Sequence, residues 1–454
     1  MNDIQSVNAT REETLLDDTQ LREAVQLALA EAGSKGASAA EAAASVSQGL
    51  MVNVRKGELE TVEHTRDHGL VVSVYFGQRT GSASTSDYSA AAVRETVQAA
   101  CSIARFTEED ACHGLADPAR LAKNPVDLDL YHPWRPTVDD ARDLALECEA
   151  KAFSTDERIT NSEGASVDTH EGCEVYGNSH GFLGHTRKSR QGISCSVIGG
   201  ENETMQRDYW YSAARRLSEL DSAAEVGEKT ATRTLRRLGA RRVPTCQVPV
   251  IYEAPVASSL LSHFISAISG GALYRKASFL LDHLGEQIFP EFVRIHEQPM
   301  LMGAMGSTAF DSEGVATEAR DIVRDGILQG YVLGSYSARR LKMQTTGNAG
   351  GVHNLTIDPG DQSLEQMIKN VDKGFLVTEL IGFGINSVTG DYSRGASGLW
   401  IENGEIAYPV EEVTVAGNLK DIFRNIVSVG NDVDERRSTR CGSILVDGLT
   451  IAGE

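Results

Sequence analysis

Residues 49–64 read GLMVNVRKGELETVEH. Two runs with a period of two flank Lys56-Gly57. That period marks strands with one covered face, and a short polar pair containing glycine between such runs fits a two-residue hairpin turn. The pattern continues outward. GLVVSVYFG (69–77) reads as a third strand and TGSASTSD (80–87) as a fourth. Helical spacing brackets them, from about Asp18 to Ala32 before and from about Ser89 to Arg105 after. Helix, antiparallel sheet, helix is an α+β arrangement.

Residues 106–137 read as a connector, with Pro118, Pro125, Pro133 and Pro136. A second unit of the same kind follows. TVDDARDLALECEAKAFS opens with a cap signal at Thr137 and two acids in its first turn. CEVYGNSHGFLGHTRKSRQGISCSVIGG (173–200) alternates like paired strands, and DSAAEVGEKTATRTLRRLG (221–239) is a charged helix with Gly239 as its C-cap candidate. From about Arg241 strands dominate. Asp325-Gly326 and Asn403-Gly404 are strong hairpin signals. The expected architecture is α+β: an N-terminal helix/antiparallel-sheet region and a β-rich, barrel-like C-terminal domain. The units expected are 1–130, 131–240 packed with it, and 241–454.

The 454 residues carry 43 Lys and Arg against 64 Asp and Glu, a net charge of −21. That argues against a general nucleic-acid or membrane binder, whose affinity comes from clustered positive charge, while leaving room for one local basic patch. Seven cysteines, an odd number with no C-x-x-C, argue against a disulfide framework. The polar, acidic opening MNDIQSVNATREETLLDDTQ is no signal peptide, and no apolar run approaches the ~20 residues of a membrane helix. The expected location is the cytoplasm.

No complete catalytic motif stands out. His296-Glu297 begins like a zinc-protease helix, but Pro299 breaks it, and it reads as ordinary surface. HTRDH (64–68) reads as a surface turn, and HGFLGH (180–185) is a weak metal candidate in strand territory. The acids of FDSEGVATEARD (310–321) read as solvated strand ends, and TTGNAGG lacks the lysine of a phosphate loop. Ser179 in GNSHG mimics a nucleophile elbow but reads as a turn, because no helix follows it. Cys441 follows an Arg-rich segment that could activate a thiol; a buried, inert cysteine is the plainer reading.

SLLSHFISAISGG (259–271) is the odd stretch. Leu260, Leu261, Phe264, Ile265 and Ile268 share one helical arc, while Ser259, Ser262, His263, Ser266 and Ser269 fill the other, with no charged residue. Small polar side chains suit a helix lining a narrow wet cleft, with Ser259 and Ser266 as cleft-lining candidates. The alternative is serines bonded to their own backbone in a packed interface.

GSASTSDYS, GGALYRKASFLLD, FDSEGVATEARDIVRDGIL, TTGNAGGVHN, VTGDYSRGA and AGNLKDIFRNIVSVGND together resemble the TldD/PmbA family, in particular its TldE (PmbA) branch. The resemblance implies a cytoplasmic heteromeric metalloprotease linked to maturation or degradation of small unfolded peptides and, by name, to modulation of DNA gyrase. It also implies that TldD-like chains bind zinc through H-E-x-x-x-H and a later cysteine. Here Ser262 stands at the first histidine, His263 at the glutamate and Ala267 at the last histidine, while Cys441 matches the cysteine region. The resemblance thus implies a degenerate metal site, no metal and no catalytic residue in this chain, and zinc in a TldD-like partner subunit. A stand-alone homodimeric peptide-binding or regulatory protein is the alternative reading, and a Cys441 hydrolase the third.

Overall fold

The computed structural model describes residues 18–453. The opening segment read against a signal peptide thus lies almost wholly outside the described residues. The first unit runs α1 (Thr19–Ser34), β1 (Ala39–Arg55), β2 (Glu58–Phe76), β3 (Arg79–Thr85) and α2 (Ala90–Phe106). Lys56 and Gly57 both have positive φ, 53° and 77°, the backbone a tight hairpin needs. The second and third expected strands are one 19-residue strand, β2. His64–His68 is therefore not a turn. It lies mid-strand, paired in unbroken register with Val46–Leu50, because ladder hydrogen bonds do not depend on whether the side chains are polar.

The middle unit runs α3 (Val138–Thr155), β4 (Ile159–Asn178), β5 (Leu183–Gly199), β6 (Gln206–Ala214) and α4 (Ala223–Leu235). Capping boxes at Thr137/Asp140 and Ser222/Glu225 start both helices. α4 ends at Leu235, short of Gly239. Arg233, Arg236 and Arg237 turn inward to Glu253 and Glu379. Ser179 is a turn residue, exchanging hydrogen bonds with the backbone of Ala40.

The two units share one sheet, in the order β3-β2-β1-β4-β5-β6. The even-numbered β1 residues are buried, except Gln48 at the centre. Ala40 to Val46 sit in one core with α1 and α2, and Leu50 to Val54 in a second with α3 and α4. Both helix pairs thus cover the same sheet face.

The C-terminal region contains β7 (Cys246–Tyr252), α5 (Ala254–Ala267), α6 (Gly270–Tyr274), β8 (Ile295–Glu297), β9 (Arg320–Arg324), β10 (Ile327–Leu328), α7 (Ser335–Arg340), β11 (Leu355–Ile357), α8 (Leu364–Lys369), β12 (Lys373–Ile381), β13 (Asp391–Glu402), β14 (Glu405–Asn418), α9 (Leu419–Arg424), β15 (Ile426–Val429), β16 (Thr439–Arg440) and β17 (Ile444–Ala452). Pairing of β14 with β17 closes β14-β13-β12-β7-β17 into a five-stranded barrel. A second, small sheet has the order β10-β9-β8-β11-β16. Both expected hairpins form, with positive φ at Asp325, Gly326, Asn403 and Gly404.

The connector fastens the two halves of the molecule. Leu128 and Leu130 pack with Ala309 and Phe310, and Arg339 donates to the carbonyls of Cys112 and Gly114. No helix among the described residues is long and apolar enough to cross a membrane.

Candidate functional site

The serine-faced stretch folds as α5, which packs on β12 and β16. Pro255 sits in its first turn, where a missing N–H costs nothing. Leu260, Leu261, Phe264 and Ile268 enter the main C-terminal core. The helix stops at Ala267 because Ser269 caps the next one, accepting from the Ala272 N–H.

The polar face divides into three parts. Ser262 and Ser266 are exposed, and their hydroxyls donate to the carbonyls of Ser258 and Ser262 at 3.1 and 2.8 Å. Ser266 and Ser269, with Gly270 and Gly271, form one wall of a cleft of about 590 Å³. Asn348–Gly351 and Glu313 lie on the other wall. Ser259 is not among the lining residues. Its Oγ is buried, as is His263 Nε2, and neither has a hydrogen-bond partner among the described residues. His263 stands edge-on to Tyr392, ring centroids 6.1 Å apart. Burial, reinforced by Arg394, lowers its pKa and keeps the imidazole neutral.

Because both exposed hydroxyls return to their own helix, Ser262→Ala and Ser266→Ala should each leave stability unchanged or raise it by up to about 0.5 kcal/mol. Urea denaturation checks this. A loss above about 1 kcal/mol would mean that the hydroxyl holds something outside the helix.

Ala267 and Cys441 are buried in the main core. The Cys441 thiol donates to the Gly442 carbonyl at 3.0 Å, and burial, with Asp432 and Asp434 nearby, pushes its pKa well above the ordinary range. It is neither an activated nucleophile nor a ready ligand. Among the described residues no three His, Cys, Asp or Glu side chains are grouped to hold a metal ion. Ser262, His263, Ala267 and Cys441 together do not fit zinc: a hydroxyl, a half-buried imidazole, a methyl group and a sealed thiol offer no open three-ligand set.

Two stretches that read as surface are buried. His296 and Glu297 are 5% and 2% exposed. Glu297 accepts from Arg320 Nε at 2.6 Å, from Asn348 Nδ2 at 3.0 Å and from the His353 N–H at 3.1 Å. Asp311, expected as a solvated strand end, is 3% exposed. Burial pushes its pKa up to about 6, opposed by the N–H groups of Ala349, Glu313 and Val315. These two carboxylates shape the cleft wall at 348–351. The glycine cluster of TTGNAGG was the only sequence signal for that wall, and it names no chemistry by itself.

Family models match the chain in three consecutive parts: PmbA/TldA metallopeptidase domain 1 over residues 40–104, the central domain over 131–238 and the C-terminal domain over 245–453. The chain is 49% identical over 434 residues to the metalloprotease PmbA of Escherichia coli O157:H7, covering 96% of each. It is 48% identical to the PmbA homologue of Haemophilus influenzae, covering 96% of this chain and 97% of that one. A crystal structure from Bacteroides thetaiotaomicron, described as a proposed modulator of DNA gyrase, superposes with a TM-score of 0.90 at 32% identity, over 95% of this chain and 99% of the other. TldE from Thermococcus kodakarensis shares the fold, with a TM-score of 0.83 at 20% identity over 96% and 100%. The chain belongs to the TldD/PmbA metallopeptidase family, on its TldE (PmbA) branch.

Proposed function

We propose that this chain is the non-catalytic partner subunit of a heteromeric zinc metallopeptidase that degrades or matures small unfolded peptides. The observation that carries this is the chemistry of α5. Where the family's catalytic chains carry H-E-x-x-x-H, this helix has Ser262, His263 and Ala267, and Cys441 is sealed behind it. Zinc would therefore reside in a TldD-like subunit. A TldD homologue of Haemophilus influenzae, 24% identical over 390 residues, is consistent with such a pairing. The role of this chain would be to complete a chamber and hold an extended peptide by strand addition. Small side chains at Ser266, Ser269, Gly270 and Gly271 and at 349–351 leave main chain within a ligand's reach, as recognition of a peptide without regard to its sequence requires. The seven free cysteines suit a reducing compartment, and we assign the subunit to the cytoplasm.

The test is peptide cleavage by this chain, by an H-E-x-x-x-H homologue from the same source, and by the two co-expressed. Cleavage is expected only from the pair, with the chains co-purifying. Metal analysis of the isolated chain should find far less than one zinc per chain. About one zinc, lost in Cys441→Ser, would overturn the reading. Peptide binding by a homodimer with no such homologue in the source would favour the stand-alone regulatory protein.

A further inference from the structure

The Arg-rich segment before Cys441 has no part in the function proposed above. In the fold it meets the end of β6 across a cleft of about 560 Å³. Arg215, Arg216, Arg436, Arg437 and Arg440 line it, against only Asp129, Glu219 and Glu435. In a chain of net charge −21 this is a local reversal of sign.

The arginines differ in what they already hold. Arg216 pairs with Asp129 and Glu219, Arg440 with Glu435, and Arg436 with Asp434 at 2.8 Å. Arg215 is 4% exposed and has no carboxylate partner among the described residues. Its guanidinium donates to the carbonyls of Ala304, Met305, Leu130 and Ser189. A buried cation that is fully hydrogen-bonded yet not neutralised leaves a positive potential in the cleft. Arg437 opens to solvent. Its Nε donates to the Tyr211 hydroxyl at 2.6 Å, and its two Nη groups have no acceptor among the described residues. Those two Nη groups form a free fork of the kind that receives a carboxylate, lining the same cleft as the Arg215 guanidinium.

The cleft also adjoins, through a shared lining residue, a hollow that borders the one beside α5. The hollow, of about 180 Å³, shares Ala349 and Gly350 with the α5 cleft and Met305 with the arginine cleft. An extended chain lying along the α5 wall would thus run toward the arginines.

We infer that the Arg215/Arg437 cleft is a carboxylate-binding site that takes the free C-terminus of an extended peptide. This deepens the peptide-holding reading and rests on it for the source of the carboxylate.

The test uses the full chain and an N-terminally fluorescein-labelled decapeptide of Gly, Ser, Ala and Leu, ending in a free acid or an amide. Fluorescence anisotropy at fixed ionic strength should show the acid binding about ten-fold more tightly than the amide. In Arg437→Gln that preference should shrink to about two-fold or less, with the thermal midpoint lowered only slightly, because Arg437 is exposed and its contacts are the Tyr211 hydroxyl and ring face and the nearby Asp434 charge. Equal binding of acid and amide to the wild type, or an acid preference that survives Arg437→Gln, overturns the inference and leaves peptide holding intact. A third peptide, amidated but with an internal Glu, tests the source. If it matches the acid form, the site reads acidic side chains and the C-terminal assignment falls. If no peptide binds, the peptide-holding reading fails, and N-acetylglycine against its amide decides the site alone. A thermal stabilisation by the acid only, absent in Arg437→Gln, supports a carboxylate site. No difference between the two overturns it.

Discussion

Glu297→Ala is expected to cost about 3–5 kcal/mol of stability and to disorganise one wall of the α5 cleft. The carboxylate is buried and is the common acceptor for Arg320, Asn348 and His353. Removing it leaves the partly buried Arg320 guanidinium with, among the described residues, only the Asn348 amide oxygen, at 2.9 Å, in its place. It also leaves the Asn348 amide with one acceptor, the Gly351 carbonyl at 3.0 Å. Because Asn348 belongs to the wall at 348–351, any peptide binding in the cleft should weaken together with stability. The pH dependence provides a second check. Burial raises the Glu297 pKa, but His353 and Arg320 outweigh it and the net shift is downward. A depressed folded-state pKa contributes stability above the ordinary carboxylate range of about 4.3, and that contribution is lost as pH falls through the folded value. Chemical denaturation from pH 7 down to pH 3 should therefore show a steeper acid loss in the wild type than in Glu297→Ala. Parallel curves, or a cost under about 1 kcal/mol, would show that the network is not held by this charge.

Gly227→Val should be comparably damaging, by about 3 kcal/mol or more, for a steric reason. Gly227 lies where α4 crosses α3, and a Cβ there would meet the Cys148 carbonyl oxygen at 2.1 Å and the Ala152 nitrogen at 3.2 Å. Backbone atoms of a neighbouring helix cannot rotate away, so the helices must separate and open the core they share with β4 and β5. Gly33→Ala in α1 is the control. Its Cβ would meet nothing within 4 Å, so it should gain up to about 1 kcal/mol from helix propensity. Thermal and urea unfolding of the two variants should move in opposite directions. Equal, small shifts would mean that the α3–α4 crossing tolerates a larger separation than its geometry indicates.

Much of the fold is decided within short windows of sequence. Turn pairs such as Lys56-Gly57 and Asn403-Gly404 set their own backbone angles. Thr137 and Ser222 begin their helices through bonds that span three residues. The apolar arc of α5 gives that helix one way to face its core. The family assignment rests on motifs of this local kind, as does the proposed degeneracy of a zinc site, since residue identity alone says that Ser262 and Ala267 are not histidines.

Burial and convergence belong to the tertiary structure. Glu297 and Asp311 read as surface because a carboxylate is normally solvated. Only the fold brings Arg320 and Asn348 to the one, and the Ala349 N–H group to the other, from segments distant in sequence. The polar run at 64–68 read as a break because local pattern reports side chains, whereas β2 continues through it on backbone hydrogen bonds supplied by β1. The face of α5 reads in sequence as one polar stripe. In the fold it separates into exposed hydroxyls returned to their own helix, a cleft wall at Ser266 and a buried edge at Ser259 and His263, because it is neighbouring strands and loops, absent from any helical wheel, that decide which part of a helix meets water. Arg215 and Arg437 lie 222 positions apart in the chain, and only the joining of the shared N-terminal sheet to the barrel domain sets them around one cleft.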